Sequence, residues 1–418
     1  MLKAETFIYW YQLLCIMIIE FKLKNYNSFK QEEVLSFERK SKEQAGTKFL
    51  INKNGSDILK ACGLVGVNGS GKTSLLLGLN FMKEMVLQSQ KHNVDTNIRY
   101  SPFITEQEKP TEFELTFISD NKKYVYGFSY TNKKIIKEFA IVYETQKPTE
   151  IFRRDENNIN KRFEFNNKYK KELKPLTHSV IPQTLMLSRA VQLNSKTLKP
   201  IYDFFSKIYI INSLFNMPPD FELLKDKKLK DDLLDKLSFA DFSISDLELV
   251  KRKIKAIEFV QIDDKGTMNQ NVSEQEIMDL DLIHKHSGKT IKINFNAESS
   301  GTKKFILIFY NLLKLEKDPI ILYDEIETSY NIEIVEFILN SFLKKENMSQ
   351  LLFTTHQPEI LNYLRSDQIN IIEKEDSVSK IINLHNIVKN NPKINKNYGD
   401  YYREGVLGGF PNVYNEDE

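Results

Sequence analysis

Residues 66–73 read Gly66-Val67-Asn68-Gly69-Ser70-Gly71-Lys72-Thr73, which is a complete G-x-x-x-x-G-K-[ST] phosphate loop. Leu64 and Val65 precede it as the end of a buried strand, and residues 74–79 continue it as a helix with an apolar face. Glycine lets a backbone turn its N–H groups inward around a phosphate, and the free N–H groups of a helix N-terminus favour an anion. The sequence therefore predicts that the chain binds a nucleoside triphosphate.

Each residue type in this motif has a chemical role. The Lys72 ammonium would reach the β- and γ-phosphates, and the Thr73 hydroxyl would hold Mg²⁺. A glycine-rich surface loop without a ligand is the alternative, which the flanking strand and helix disfavour. The candidate nucleotide-binding residues of this segment are Gly66, Asn68, Gly69, Ser70, Gly71, Lys72, Thr73 and Ser74.

Composition bounds the class of protein. A chain of 418 residues has room for two domains, or for one large domain with an insertion. With 59 basic and 57 acidic residues, the charge balance neither indicates nor excludes nucleic acid as a partner. The two cysteines, Cys15 and Cys62, are too few for a disulfide framework, so we expect a reducing, cytoplasmic location.

The N-terminus carries an apolar run from Phe7 to Ile19. It is shorter than the roughly 20 residues that cross a bilayer, and it lacks the flanks of a signal peptide. Met17 opens an alternating strand and would make a natural start of the protein. We therefore expect no membrane association, and we interpret residues 1–16 as an upstream extension or at most a minor anchor.

Periodicity predicts the other elements. Residues 17–65 indicate two or three strands, and a helix should follow the phosphate loop to about Gln90. Residues 112–117 and 124–128 alternate at period two around an Asp-Asn turn, which predicts a hairpin. Further strands are expected around residues 136–144 and 150–154, and a helical pattern covers residues 198–211.

Domain boundaries follow from these patterns. Residues 17–212 should form an ATPase lobe with the phosphate loop and a β-subdomain, and residues 291–418 a second ATPase lobe. Residues 213–290 lie between them as a helical or lid-like insertion, with a mixed-charge helix over 225–236 and a turn at 263–266. His284-Lys285-His286 within it favours a solvated turn over a metal site, because no acidic or Cys partner stands at ligand spacing.

Two carboxylates end an apolar strand downstream, at Pro319-Ile320-Ile321-Leu322-Tyr323-Asp324-Glu325. Asp324 is placed to hold Mg²⁺, and Glu325 to polarise an attacking water. An apolar strand that ends in two acids is common. Its value as evidence lies in its position after the phosphate loop.

Two further landmarks flank those acids. Glu298-Ser299-Ser300-Gly301-Thr302 opens a helix, which is either a second anion site or a plain cap whose serines satisfy free N–H groups. Residues 351–356 form a strand that ends in His356. A residue at the C-terminal end of a strand lies at the ligand-binding edge of an open α/β sheet.

These four motifs, in this order and spacing, resemble the head of the ABC-type ATPases. The resemblance implies an α/β P-loop NTPase fold with ABC/SMC-like head architecture: a mixed sheet flanked by helices, an N-terminal antiparallel β lobe and a helical insertion. It also implies ATP and Mg²⁺ as cofactors. In this family the signature of one subunit completes the γ-phosphate site of the other, so a homodimer or higher oligomer with ATP between its subunits is expected.

Residue roles carry over by the same resemblance. Ser299, Ser300 and Gly301 correspond to the signature, although Glu298 and Ser300 stand where Leu and Gly are usual. Asp324 corresponds to the Mg²⁺-coordinating acid, Glu325 to the catalytic acid and His356 to the γ-phosphate sensor. Gln107 is the candidate for the family's metal-associated Q-loop glutamine.

The finer pattern is similar to the standalone ATPases of bacterial phage defence, including RloA, the abortive-infection ATPases and the PARIS-type ATPase. The interval between the phosphate loop and residue 298 lacks the sustained heptads of SMC-type repair ATPases, and it is too long for a transporter ATPase. Relatives often carry Arg where Asn27 stands, which puts a phosphate contact there in doubt. The similar segments are residues 23–30, 110–114, 187–194, 298–302 and 402–412.

This resemblance implies an ATP-driven sensor or scaffold of an abortive-infection system. Too few residues follow His356 for the Toprim nuclease of the OLD-type relatives, so a separate, nuclease-like effector encoded nearby is expected. The alternatives are a RecF-like DNA-repair ATPase that binds DNA directly, and an interaction scaffold for which the nucleotide is only structural.

Overall fold

A computed structural model of the chain describes most of the sequence. The predictions for residues 1–15, for the turn at 263–266 and for residues 410–412 lie outside the described residues. The described residues are 16–41, 50–53, 56–145, 147–211, 221–239, 243–262, 268–286, 288–314, 319–327, 330, 332–343 and 349–409.

The chain divides into two compact units. The first comprises residues 1–212, 317–327 and 331–418, and the second comprises residues 213–316 and 328–330. The strands of the first unit are β1 (Met17–Lys24), β2 (Glu33–Ser36), β3 (Leu50–Lys53), β4 (Ser56–Leu59), β5 (Ala61–Val65), β6 (Thr111–Ser119), β7 (Lys122–Tyr130), β8 (Ile135–Tyr143), β9 (Pro148–Asp155), β10 (Phe163–Phe165), β11 (Ile208–Ile211), β15 (Ile320–Tyr323), β16 (Gln350–Thr355), β17 (Ile369–Glu375) and β18 (Val378–Asn383). Its α-helices are α1 (Lys72–Gln88), α2 (Asn167–Leu173), α3 (Met186–Gln192), α4 (Lys199–Ser206), α7 (Ile332–Leu343), α8 (Leu384–Asn390) and α9 (Tyr398–Arg403).

An antiparallel sheet forms the β lobe, with strand order β10-β9-β8-β7-β6-β1-β2. The predicted hairpin is confirmed as β6 and β7, whose turn residues Asp120 and Asn121 have φ of 50° and 59°. Asn and Asp tolerate this left-handed backbone, which matches the twist of the flanking strands. Helix α1 packs against the lobe, and Gly78 leaves room there for the rings of Phe113 and Tyr26.

The second sheet of this unit is mostly parallel, with strand order β11-β15-β16-β5-β17-β18. Only β18 runs antiparallel to its neighbour. All residues of β5, β15 and β16 are buried, as expected for parallel strands that are covered on both faces. The carboxyl ends of β5, β15 and β16 therefore share one edge, where the phosphate loop, Asp324 and His356 begin.

The second unit contains β12 (Ile244–Ile262), β13 (Met268–His286) and β14 (Lys289–Asn294) in one antiparallel sheet, with α5 (Lys227–Phe239) and α6 (Ser300–Lys314). The helix predicted over residues 225–236 is confirmed as α5. The rest of the predicted helical insertion differs, because β12 and β13 form a hairpin with 19 residues in each strand. The pairing that selects this hairpin joins residues as far apart as Ile244 and His284, so local charge patterns do not reveal it.

Two local predictions change with this pairing. The segment His284-Lys285-His286 lies within β13, so the solvated turn expected there is wrong. The helical pattern over residues 198–211 holds only for α4, because the β-branched and aromatic run Ile208–Ile211 pairs with β15 as a parallel strand.

The boundary of the second unit also differs from the expected one. Unit two extends to residue 316 and so includes α6, because Phe221 packs edge-to-face against Phe295 and against Tyr310 of α6, at ring-centroid distances of 5.1 and 4.9 Å. In the described part of the chain, no helix has both the length and the apolar character needed to cross a membrane.

One buried amide joins the two larger sheets of the first unit. Gln350, at the start of β16, accepts a hydrogen bond from the Ile18 N–H at 2.8 Å and donates to the Ile18 and Leu59 carbonyls at 3.0 and 3.1 Å. Its side chain is fully buried. Because backbone groups in such a place need a partner, this single residue satisfies three of them.

Replacing Gln350 with Leu should destabilise the first unit by about 3 kcal/mol, because main-chain groups of Ile18 and Leu59 would lose their partners inside the protein. Urea denaturation followed by circular dichroism measures the change. The matched control is Gln107→Leu at an exposed position, which should change stability by less than about 0.5 kcal/mol. Equal denaturation midpoints for the two variants would contradict the role of Gln350.

Candidate functional site

The backbone of the phosphate loop requires glycine at three positions. Gly69 and Gly71 have φ of 74° and 119°, a left-handed region that side chains disfavour. A Cβ at Gly71 would also lie 2.7 Å from the Ser379 hydroxyl oxygen. A Cβ at Gly66 would lie 2.4 Å from the Ile372 carbonyl oxygen. The loop is therefore closely packed against β17, the strand that pairs with β5.

The loop borders a cavity of about 340 Å³, within the range of small-molecule sites. Predicted residues from three separate segments meet here: the phosphate loop, Glu325 and His356. Within the loop, the Ser70 hydroxyl oxygen is buried and has no hydrogen-bond partner in the described chain. The lining residues are Asn27, Ser28, Asn68, Gly69, Gly71, Lys72, Thr73, Ser74, Glu325, His356 and Lys374.

Lys72 is folded back onto its own loop. Its buried ammonium donates hydrogen bonds to the carbonyl oxygens of Gly66 and Val67, at 2.7 and 3.0 Å. Burial lowers the pKa of Lys72 to about 8, and the nearby carboxylates of Asp324 and Glu327 act in the opposite direction. The ammonium is therefore a cation with few water contacts, and a phosphate would compete for its hydrogen bonds.

Thr73 and Asp324 form the candidate Mg²⁺ position. The Thr73 hydroxyl oxygen lies 3.2 Å from both carboxylate oxygens of Asp324. Among the described residues, no group of three or more His, Cys, Asp or Glu side chains could hold a metal. Since Mg²⁺ is usually held by one or two carboxylates together with substrate phosphates and waters, a hydroxyl beside a carboxylate fits that ion.

Thr354 of β16 orients both acids. Its hydroxyl donates to Asp324 at 2.8 Å and accepts from the Glu325 N–H at 2.7 Å. Glu325 has φ of 54°, in the left-handed region that costs a non-glycine residue energy. The hydrogen bond from its N–H holds this conformation while the residue lines the cavity. The sequence shows Thr354 in the predicted strand, but its role depends on the pairing of β15 with β16.

His356 lies at the cavity edge, just past the end of β16. The backbone N–H of His356 donates to a carboxylate oxygen of Glu327 at 2.5 Å. Partial burial and then the charge of Lys72 lower the pKa of His356, so the neutral ring is favoured. Sequence reasoning missed Glu327, although it stands only two residues after Glu325. The second oxygen of Glu327, Oε2, is buried and lacks a hydrogen-bond partner within the described residues.

The signature segment belongs to the second unit. Ser299 caps helix α6, because its hydroxyl accepts from the Thr302 N–H at 3.1 Å and lies 2.8 Å from the Thr302 hydroxyl. The Gly301 carbonyl accepts from the Tyr330 hydroxyl at 3.1 Å. Of the two alternatives that the sequence allows for this segment, an anion site or a plain helix cap, this geometry matches the helix cap. Ser299 and Ser300 are both exposed, so the end of the helix remains accessible.

Glu298, the unusual first residue of that segment, has a specific partner. Its carboxylate lies 2.6 Å from Nε2 of His284 on β13, and both side chains are largely buried. The His284 motif is therefore explained by an ion pair or hydrogen bond to the signature segment. Sequence spacing alone did not connect the two residues.

Gln107 does not reach the cavity. It lies on an exposed turn, and its carbonyl accepts from the Tyr100 hydroxyl at 3.1 Å. The Asn25 side chain anchors the same turn by donating to the Glu106 and Lys109 carbonyls, at 3.0 and 2.7 Å. The structure therefore does not bring Gln107 together with Thr73 and Asp324.

A protein-family model described as "AAA domain, putative AbiEii toxin, Type IV TA system" matches residues 62–362, which is well over half of the chain. The match spans the phosphate loop, both acids and His356. A search of curated proteins finds no match.

The solved structures that match this chain include three SMC heads. The SmcHead bound to the C-winged helix domain of ScpA is 13% identical with a TM-score of 0.43, and covers 89% of this chain and 99% of its own. The SMC head domain from Thermotoga maritima has 12% identity, a TM-score of 0.41, and coverage of 88% and 98%. The Pyrococcus furiosus Smc head domain bound to the C-terminal domain of ScpA has 13% identity and a TM-score of 0.44. The match covers 90% of this chain and 99% of that one.

The mixed α/β architecture, with helices flanking a largely parallel sheet and a phosphate loop after β5, agrees with the fold predicted from the sequence. The fold class is confirmed, whereas the narrower likeness to the RloA and PARIS groups stays a prediction. From the extent of the family match and from this architecture, the chain belongs to the family of AAA domains described as a putative AbiEii toxin of a type IV toxin–antitoxin system, and it has the fold of a P-loop ATPase.

Proposed function

We propose that this protein is an ATP-binding and ATP-hydrolysing sensor or scaffold of a bacterial anti-phage, abortive-infection system. It would control a separate effector through a dimer that holds ATP between its subunits. The observation that carries this proposal is the meeting of the phosphate loop, the Thr73–Asp324 pair and Glu325 around one cavity.

Three features support ATP with Mg²⁺ as the ligand. Gly69 and Gly71 give the loop the left-handed turns that direct N–H groups at an anion. The Lys72 ammonium, largely removed from water, would be a strong partner for phosphate oxygens. Thr73 and Asp324 would hold Mg²⁺, which supplies neutralisation of phosphate charge when it is bound.

Glu325 is the residue we assign to water activation. It is the second residue after the end of β15, and the Thr354 hydroxyl holds its strained backbone in place. A carboxylate in this position would accept a proton from water as the water oxygen bonds to the γ-phosphorus, while the bond from that phosphorus to the β–γ bridging oxygen breaks and ADP leaves. His356, with its pKa lowered, would contact the γ-phosphate as a neutral donor.

The dimer is supported by the accessible start of helix α6. Ser299 and Ser300 are exposed at a helix N-terminus, where N–H groups favour an anion. The resemblance to ABC-type ATPases implies that this signature segment meets the nucleotide of a second subunit. Binding of ATP would then close the dimer, and hydrolysis would open it.

The defence role is supported by the family description, which names a toxin of a type IV toxin–antitoxin system. A toxin–antitoxin system pairs the toxin with a second component. We therefore propose a nuclease-like effector, encoded near this gene, as the partner that the ATPase holds and releases.

Nucleotide affinity should fall as the pH rises through about 8, because the Lys72 ammonium is charged below its pKa and loses its charge above it. Fluorescence titration with labelled ATP between pH 7.5 and 9 should show a roughly tenfold weakening. The Lys72→Arg variant keeps its charge throughout this range and should show a flat profile. A flat profile for the wild type, or the same decline in both proteins, would contradict the assignment.

Glu325→Gln should bind ATP but hydrolyse it at least about a hundredfold more slowly, because the amide cannot accept the proton. Phosphate release measures turnover, and size-exclusion chromatography with ATP should show a trapped dimer. Glu359→Gln, an exposed acid paired with Arg403, is the control and should hydrolyse normally. Wild-type turnover in Glu325→Gln would rule out this base.

The tagged chain should co-purify with the product of an adjacent gene, and ATP should change the amount retained. Lys72→Ala, which should lose nucleotide binding, is the control and should not respond to ATP. The contrary result is salt-sensitive binding of DNA by the chain alone, with no retained partner. That outcome would favour the RecF-like DNA-repair alternative.

A further inference from the structure

The hairpin of β17 and β18 runs beside the phosphate loop. Ile369–Ile371 of β17 pair with β5 in parallel, and the strand then continues past the end of β5. Its Ile372 carbonyl is the group that a Cβ at Gly66 would strike. Beyond that contact, β17 is paired only with β18 among the described strands, through residues up to Glu375.

Ser379 fastens this hairpin to the loop. The side chain is fully buried, with its oxygen 2.5 Å from the Ser70 carbonyl oxygen and 2.7 Å from the Ser28 hydroxyl. The Ser379 N–H also donates to the Ser28 carbonyl at 2.8 Å. One small residue thus connects the hairpin, the phosphate loop and the turn after β1, and these three segments form one wall of the cavity.

Lys374 stands on this wall. Its ammonium donates to the Gly69 carbonyl at 3.2 Å, and the residue lines the cavity together with Lys72. Nothing lies within 4 Å of a Cβ placed at Gly69, so the loop tip beneath the ammonium is open to a ligand. The backbone of β17 is held by its pairing, while the exposed side chain is free to turn from the carbonyl to an incoming anion.

Charge explains why such a residue matters. A triphosphate carries several negative charges, and the cavity also holds the carboxylate of Glu325. The ammonium of Lys72 supplies one positive charge, and it is hydrogen-bonded to the carbonyl oxygens of Gly66 and Val67. Asn27, which also lines the cavity, adds no charge. A second ammonium at the loop tip offsets the remaining negative charge.

We propose that Lys374 is a second phosphate-binding cation, delivered to the polyphosphate chain by the β17–β18 hairpin. This inference rests on the proposed function, since it takes the cavity to be the nucleotide site. It adds a phosphate contact from outside the sequence motifs, on a hairpin that contacts the loop through Ser379.

The test compares Lys374→Ala with Lys380→Ala. Lys380 lies on the same hairpin, is exposed and pairs with Glu375 at 3.3 Å, so its removal is the matched control. Binding of labelled ATP should weaken about tenfold in Lys374→Ala, as expected for loss of a charge-assisted hydrogen bond. Binding should be unchanged in Lys380→Ala and largely kept in Lys374→Arg.

Inorganic tripolyphosphate, which has no base or ribose, separates a phosphate contact from other effects. Its ability to displace labelled ATP should weaken in Lys374→Ala by the same factor as ATP binding. The proposal fails if Lys374→Ala binds ATP like the wild type, or if only ATP and not tripolyphosphate is weakened.

Lys72→Ala distinguishes this failure from failure of the proposed function. If Lys72→Ala also binds ATP normally, the cavity is not the nucleotide site and both proposals fall. If Lys72→Ala abolishes binding while Lys374→Ala has no effect, only the role of Lys374 is overturned.

Discussion

The main-chain pairing of β5 between β16 and β17 is the interaction on which the rest of the site depends. Val65, the last residue of β5, is paired with Thr355 on one side and Ile371 on the other. The next residues of the three strands, Gly66, His356 and Ile372, therefore emerge side by side. A shift of one residue in this register would exchange the two faces of β5 and separate the loop from its neighbours.

The same pairing extends to the acids. Phe353 of β16 pairs with Tyr323 of β15, which brings Thr354 next to Asp324 and Glu325. The Thr354 hydroxyl then bonds to both residues and supports the left-handed backbone of Glu325. Strain of this kind persists only where the surroundings over-determine it. The buried strands and the Gln350 amide, which joins the two larger sheets of the unit, supply that rigidity.

Much of this was predictable because it is local. The phosphate loop, the β6–β7 hairpin, the apolar strands before Asp324 and His356, and helix α6 all follow from spacing and turn chemistry. The features that the sequence does not predict depend on contacts between residues that are far apart in the chain. The β12–β13 hairpin was expected to be helical, His284 was not linked to Glu298, and Gln107 lies outside the cavity. In each case the deciding partner is distant in sequence.

The sequence by itself determined the phosphate loop and the order of the motifs, because glycine spacing and apolar strand ends express backbone requirements that need no distant partner. Only the tertiary structure decided which other residues meet that loop. Ser28, Glu327, Lys374 and Ser379 carry no motif, and they become neighbours of the site through strand register and a hairpin that extends past the sheet. The physical reason is that hydrogen bonds between distant segments set these contacts, and the bonded residues are separated by up to 351 positions in the chain.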